Sequence, residues 1–313
     1  MKRAASRWLY TALSVALFGC TEGSSGAAES FRIRGAEFIE GRLPGFAPTG
    51  GKRTPLVTAL ETANLNVHQG EGEHTFSGRA ERTATAVALA LDGVSTGYWV
   101  VPTGVLDVVT GELTWAARAD FDLNIVPGLY AVTVVAIDES GRAGEQLNQS
   151  LCVLGRVPDN GRACSADKSP PRAVISLQWD ADADLDLQVV GLDGARIDAK
   201  HPLGMPDTSL AGAVLDRDSN GACALDGIRT ENLIWNDDVP AGRFHVYVNL
   251  FAACGQPATR FSVGVYSAEP LDDGSEWLKR RLRRSGELLE LSADPRAVQG
   301  LFVVDVTFAD DEQ

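Results

Sequence analysis

The chain has 313 residues, a formal net charge of −14 and 44% hydrophobic residues. This apolar fraction is typical of chains that fold around a core, so global disorder is excluded. The acidic balance disfavours nucleic acid and anionic lipid headgroups as partners, because both are negatively charged. We therefore expect a folded protein that binds no nucleic acid.

The amino end has the parts of a secretory leader. Basic residues at the start are followed by an apolar run at residues 8–18, then by Gly19 and Cys20. The run is too short to span a bilayer, which requires about 20 apolar residues. Its ending resembles the lipobox of bacterial lipoproteins, which implies a signal peptide at residues 1–19 and acylation of Cys20. The alternative is an ordinary signal peptide or an uncleaved anchor, in which the cysteine is incidental.

The residues after the cysteine bear on where the protein resides. Thr21 follows Cys20, and no aspartate stands there. By resemblance to the sorting rule of bacteria with two membranes, this implies an outer-membrane lipoprotein that faces the periplasm or the cell surface. Residues 20–30 then carry the acylated cysteine and a flexible polar tether. The expected partners are the membrane, through the lipid, and an envelope protein or glycan.

Residues 31–155 predict a first β-sandwich. Short apolar or alternating runs are separated by turn residues, without helical periodicity. The predicted strands are residues 31–40, 57–67, 85–91, 98–101, 113–123, 129–137 and 145–154. Residues 126–144 are similar to the late strands of immunoglobulin-like and fibronectin-like modules, which implies the same kind of sandwich.

Residues 156–172 are rich in Pro, Gly, Asp and Ser and predict a linker. Residues 173–313 predict a second β-sandwich, so the expected fold class is all-β with two tandem sandwiches. The predicted strands are residues 174–179, 185–190, 233–235, 243–250, 259–266 and 300–308. Residues 276–291 fit either a short helix or a long charged hairpin, and the pattern does not decide between them.

Four cysteines remain after Cys20. Export places them in an oxidising compartment, where disulfides persist. Four cysteines allow three pairings. We predict Cys152–Cys164 and Cys223–Cys254, because each pair then stays on one side of the proline-bearing core of the linker. None has a histidine at zinc-ligand spacing, so the disulfides are expected to be structural.

A series of sequence blocks follows in order between residues 174 and 266. The blocks are Leu177-Gln178-Trp179-Asp180, residues 183–190, Asp193-Gly194, residues 215–221, Thr230-Glu231-Asn232 and residues 240–249. In this order they resemble the YfaP-type family of exported bacterial proteins. The chain departs from the family at Gln188, where the family has histidine, and at residues 229–230, where it often has Gly-Pro. The resemblance implies a β-sandwich of the secreted accessory kind and no established activity.

The sharpest local pattern is Asp216-x-Asp218-x-Asn220-Gly221, which matches the opening of a calcium-binding loop. Calcium takes six to eight oxygen ligands from carboxylates, amides and carbonyls. An EF-hand is excluded, because Gly227 occupies the position that requires glutamate. The alternative is an Asx-rich turn without a metal.

Other acidic residues would have to complete such a site. Glu231 and the run that contains Asp184 and Asp186 are the candidates. In a β-strand, Asp184 and Asp186 point to one face while the intervening leucines point to the core. The sequence therefore predicts a calcium site formed from Asp184, Asp186, Asp218, Glu231 and the residues that flank Asp218.

Residues 93–97 spell G-x-S-x-G, the pattern of a hydrolase nucleophile elbow. An elbow requires a helix after it, and residues 98–101 read as a strand instead. We therefore expect no enzyme. The predicted function is a non-catalytic binding or adhesion module of the cell envelope, with calcium as its candidate cofactor. The alternative is a scaffolding envelope lipoprotein without a small ligand.

One basic cluster, residues 279–284, stands out in the acidic chain. It is suited to lipopolysaccharide phosphates or to an acidic partner. The alternative is a solvated segment whose charge is balanced by nearby glutamates.

Overall fold

The computed structural model describes residues 29–45, 54–296 and 299–309. The predicted signal peptide at residues 1–19 and the lipidation site Cys20 lie outside these ranges. Within the described ranges, no helical segment has both the length and the apolar character needed to cross a membrane.

Strands form nearly all of the regular structure, so the protein is all-β, as predicted. In chain order the strands are β1 (Phe31–Ile33), β2 (Glu37–Glu40), β3 (Val57–Thr62), β4 (Asn66–His68), β5 (His74–Ala80), β6 (Ala84–Leu91), β7 (Gly97–Pro102), β8 (Leu113–Phe121), β9 (Gly128–Asp138), β10 (Leu147–Leu154), β11 (Ala173–Trp179), β12 (Asp184–Gly191), β13 (Arg196–Ile197), β14 (Ala213–Leu215), β15 (Thr230–Trp235), β16 (Gly242–Ala252), β17 (Ala258–Pro270), β18 (Glu276–Leu289) and β19 (Leu301–Phe308). Two single-turn 3₁₀ helices, Gly221–Cys223 and Glu290–Ser292, interrupt them.

Strands β1 to β10 form two sheets around one core. Their orders are β1-β8-β5-β3 and β2-β7-β6-β9-β10-β4. Neighbouring strands are antiparallel apart from β4 and β10, which run parallel. Inward-facing side chains of both sheets, among them Phe31, Phe76, Leu89 and Trp99, meet in a single buried cluster. Alternation of apolar and polar residues along each strand produces this two-layer arrangement.

Strands β11 to β19 form two further sheets around a second core. Their orders are β14-β15-β11-β17-β18 and β13-β12-β16-β19. The rings of Trp235, Phe244 and Phe308 lie 5.6–5.8 Å apart between their centroids. Edge-to-face and tilted ring contacts at this spacing stabilise a core beyond the burial of their area.

Several strands differ from those predicted. Residues 31–40 form two strands in different sheets, because Gly35 adopts a φ of 68° and turns the chain. Strand β5 lies outside the predicted strands. It occupies the middle of its sheet, where a Cβ at Gly78 would stand 1.9 Å from the carbonyl oxygen of Ala59.

Residues 276–291 resolve as a hairpin arm and not as a helix. Strand β18 pairs with β17 along its whole length, and Arg281 is the extra residue of a β-bulge. This is the hairpin alternative; residues 279–284 are charged at all but one position, so their periodicity did not decide between hairpin and helix.

The disulfides are Cys152–Cys164 and Cys223–Cys254, the pairing predicted from the sequence. The first joins the end of β10 to the segment between the two sandwiches. The second joins the loop at residues 216–229 to the segment after β16. We call residues 216–229 the acidic loop.

The acidic loop also contacts the first sandwich. The backbone N–H of Gly72 donates to the carbonyl of Asp226 at 3.4 Å. The guanidinium of Arg217 lies 3.1 Å from the ring Nε2 of His68. These contacts and the disulfide fix both sides of the loop that carries Asp218.

Candidate cation site in the second sandwich

Three carboxylates converge beside the acidic loop. Asp184 and Asp186 project from β12, and Asp218 projects from the loop. One oxygen of each lies within 4.8 Å of the others. The period of the strand places both β12 carboxylates on one face, while Leu185 and Leu187 enter the core from the other. The sequence predicted this alternation.

Asp184 has the most unusual surroundings of the three. The residue is only 1% exposed. Its Oδ2 accepts a 2.7 Å hydrogen bond from the backbone N–H of Ala222, but its Oδ1 has no hydrogen-bond partner among the described residues. Burial, and then repulsion by Asp186, raises the pKa of Asp184 to about 7. A buried carboxylate oxygen without a donor needs a cation or a proton.

The pKa values of the two neighbouring carboxylates are raised as well. Asp186 is 5% exposed, and burial raises its pKa to about 6 although Asn249 donates to it at 3.3 Å. Asp218 is an exposed residue, and its pKa is also raised, by partial desolvation and then by the negative charge of Asp226. All three groups therefore resist becoming fully charged unless positive charge arrives.

The acidic loop holds an unusual backbone conformation at this point. Asn220, Ala222 and Cys223 have φ values of 61°, 50° and 63°, in the left-handed region that non-glycine residues rarely adopt. Each such residue costs about 1–3 kcal/mol and persists only where the surroundings enforce it. The Cys223–Cys254 disulfide and the Ala222–Asp184 hydrogen bond supply that enforcement here.

Three of the six predicted ligands lie outside the cluster of carboxylates, and two of these, Asp216 and Asn220, belong to the acidic loop. Asp216 accepts hydrogen bonds from the backbone N–H and the side-chain amide of Asn232, at 2.8 and 2.9 Å. The Asn220 amide donates to the carbonyl of Ala183 at 3.0 Å and accepts from the N–H of Asp226 at 3.0 Å. Both side chains therefore shape the loop instead of facing the other carboxylates.

Glu231 hydrogen-bonds to both segments that carry the cluster. It is fully buried and accepts hydrogen bonds from the N–H of Leu187 at 2.7 Å and of Ser219 at 3.3 Å. Burial raises its pKa well above the usual range. Glu231 thus links β12 to the acidic loop and fixes the separation of Asp186 and Asp218.

The carboxylates line an open cavity of about 560 Å³. Asp198 and Asp226, which sequence reasoning did not include in the site, also line it, and Lys200 stands at its rim. Asp226 accepts from Ser219 Oγ at 2.9 Å through one oxygen. In the sequence, only the negative charge of Asp226 could have indicated that it belongs to the site, because its spacing from Asp218 fits no calcium-loop pattern.

The donor set indicates which metal would fit. The clustered ligands are carboxylate oxygens, without cysteine or histidine in the group. Hard divalent cations prefer such oxygens, and calcium accepts the irregular geometries that loops provide. Additional backbone carbonyls or water would be needed to reach six or more ligands.

Comparison with known proteins adds little. No family model matches the chain, and no curated protein matches it significantly. Among solved structures, it is similar to fibronectin(III)-like modules of CbhA from Clostridium thermocellum, with 11% identity, coverage of 77% of this chain and 97% of that one, and a TM-score of 0.18. It is also similar to BcpA, the major pilin subunit of Bacillus cereus, with 7% identity, 77% and 68% coverage and a TM-score of 0.21.

A third similar structure is the C-terminal domain of the AgI/II polypeptide BspA of Streptococcus agalactiae. It has 10% identity, 82% and 86% coverage and a TM-score of 0.16. Scores in this range carry no argument about fold or function. The resemblance to the YfaP-type family therefore stays a prediction.

Proposed function

We propose that the protein is a non-catalytic binding module of the bacterial cell envelope whose second sandwich binds one calcium ion. Asp184, Asp186 and Asp218 would be the carboxylate ligands. The observation that carries this proposal is the buried Oδ1 of Asp184, which has no hydrogen-bond partner among the described residues and lies within a cluster of three carboxylates. An uncompensated buried charge is costly, and a divalent cation offsets the repulsion of all three groups at once.

The surrounding structure supports a site that is formed before the ion arrives. The acidic loop is held by a disulfide, by contacts to the first sandwich and by the hydrogen bonds of Glu231. A ligand set whose geometry is already fixed loses less conformational entropy on binding. Ala222 adopts a left-handed backbone conformation, which is unfavourable for a non-glycine residue, and its N–H donates to Asp184. The strained backbone therefore helps to hold the Asp184 carboxylate in place.

Isothermal titration of the calcium-free protein tests this proposal. We expect one site with a Kd of about 0.1–1 mM, the range of extracellular calcium modules. Asp218→Asn should weaken binding by about ten-fold or more, because it removes one ligand charge. Asp237→Asn is the matched control, since it makes the same charge change at an exposed position of the same sandwich.

Equal affinities of the two variants would reject the site. An absence of binding heat together with an unchanged unfolding temperature in calcium would favour the alternative function, a scaffolding lipoprotein without a small ligand.

We also propose that Cys20 carries the lipid that places this module at the outer membrane. The leader and the residues 17–20 that resemble a lipobox support this proposal. Acyl chains on one cysteine hold a protein firmly, because each buried methylene contributes about 0.8 kcal/mol. Bacteria fed with labelled palmitate should therefore label the protein, and Cys20→Ser should remove the label. Label on the Cys20→Ser protein, or an unlabelled parent, would contradict the anchor.

A further inference from the structure

The second sandwich is open along one side, between its two edge strands. Strand β18 ends the five-stranded sheet and β19 ends the four-stranded sheet. A cleft of about 780 Å³ lies between them, because residues of both strands line it. The outer edge of β18 has no neighbouring strand among the described residues, so its peptide groups are available to pair with another chain.

The cleft has an apolar floor within a largely polar lining. Val265, Leu282, Val306 and Phe308 form the floor, and Val265 and Val306 belong to the core with 3% and 6% exposure. The polar part of the lining consists of Arg172, Asp238, Ser267, Arg281, Asp305 and Thr307. Side chains inserted from outside would therefore continue the hydrophobic core. Such contact stabilises a complex because it removes apolar surface from water.

The edge strand β18 beside the cleft is basic. Of the five cations of β18, Lys279 and Arg281 pair with Glu269. Arg280, Arg283 and Arg284 make no ion pair with any described residue, and all three are exposed. Three cations on one edge strand that lack an ion pair within the described part of the chain are a local exception in a protein with a net charge of −14.

We propose that this cleft binds an extended acidic segment of another protein, which adds to the edge of β18 as a strand. Main-chain hydrogen bonds to the edge would provide affinity, and alternate side chains would provide specificity. One face of the segment places apolar side chains on the floor of the cleft, and acidic residues meet the unpaired arginines. The partner is therefore a segment that alternates apolar and acidic residues. This inference is independent of the calcium proposal.

The same features exclude two other occupants. A second copy of β18 would place arginine against arginine, and like charges across a strand pair are destabilising. An anionic glycan satisfies the arginines but does not cover the apolar floor or extend the sheet. Charge and apolar surface together thus favour a peptide.

The test uses a fluorescent ten-residue peptide of alternating Glu and Val with blocked ends, titrated into the full chain. Saturable binding is expected, and polyglutamate, which has no apolar side chains, should bind about ten-fold more weakly or worse. Two further peptides carry N-methyl groups on the Val amides or on the Glu amides. Only one of these sets faces β18, so one methylated peptide should lose about ten-fold in affinity and the other should keep it.

The matching protein variants reverse charge at exposed positions. Arg280→Glu combined with Arg283→Glu should lower the affinity for the Glu-Val peptide by about ten-fold or more, and the variant should bind a Lys-Val peptide. Arg42→Glu, exposed in the first sandwich, is the control and should change neither affinity. Equal binding of both methylated peptides, equal binding of polyglutamate, or a dimer that the Arg280→Glu, Arg283→Glu variant abolishes would each overturn the proposal.

Discussion

Replacement of Glu231 by alanine is expected to lower the free energy of unfolding of the second sandwich by about 3–5 kcal/mol. Glu231 is fully buried and accepts from the backbone N–H groups of Leu187 and Ser219. The substitution leaves both donors unpaired, at about 1–3 kcal/mol each, and opens a cavity. Denaturant unfolding, followed by the fluorescence of the buried tryptophans, measures the change.

Two further variants make this prediction specific. Glu231→Gln keeps one acceptor oxygen but sets an amide NH₂ against the second N–H group, so its loss of stability should be intermediate. Glu61→Ala, exposed in the first sandwich, should change the unfolding free energy by less than about 0.5 kcal/mol. A Glu231→Ala protein as stable as the Glu61→Ala control would show that Glu231 does not link β12 to the acidic loop.

The second large effect is a calcium-dependent stabilisation whose size depends on pH. At a free calcium concentration of about 100 times Kd, binding adds about 2.7 kcal/mol to the unfolding free energy. For a sandwich of this size we expect Tm to rise by about 5–10 °C at pH 8. At pH 5.5 the rise should be much smaller, because calcium must then displace protons from Asp184 and Asp186.

In the calcium-free protein, the same carboxylates should make the free energy of unfolding fall as pH rises. The pKa values of about 7 for Asp184 and about 6 for Asp186 lie above the value of 3.8 expected in the unfolded chain. The folded protein therefore binds more protons than the unfolded chain between about pH 4 and pH 7, and its stability falls as pH rises through that window. Thermal unfolding at several pH values, with calcium or with a chelator, checks both trends.

The Asp184→Asn, Asp186→Asn double variant is the control for this experiment. It removes two of the groups with raised pKa values, so it should lose the calcium response and show a shallower decline in stability between pH 4 and pH 7. Part of the decline should remain, because the pKa values of Asp218 and Glu231 are also raised. A decline as steep as that of the parent would mean that Asp184 and Asp186 do not cause it.

The sequence predicted those parts of the site that depend on local periodicity. Asp184 and Asp186 share a face because strand side chains alternate, and the leucines between them require burial on the other face. Asp218 was found from the loop motif. The convergence of these two segments depends on the pairing of β11 with β15 and of β12 with β16, which no local pattern encodes.

The structure places the two other side chains of the motif away from Asp218. In a calcium loop, residues in the positions of Asp216 and Asn220 supply ligand oxygens. Here those side chains hydrogen-bond to Asn232 and to the backbone on either side of the loop, which gives the loop its shape. Asp226 lines the cavity because the chain turns back at Gly227, where φ is 79°.

The fold followed from the sequence wherever turn residues and alternation agreed. They did not agree at β5, where Gly78 permits the close approach of Ala59. They also disagreed at β18, where arginines occupy both faces of an edge strand. Tertiary packing and edge position override local preference at these sites.

The central claim is that a calcium ion lies among Asp184, Asp186 and Asp218, and a crystal structure of the protein grown with calcium tests it most directly. We expect a density peak with an anomalous signal, 2.3–2.6 Å from oxygens of all three carboxylates, the distance range of calcium ligands in proteins. Crystals at about ten times the measured Kd that show ordered carboxylates and no such peak would contradict the account.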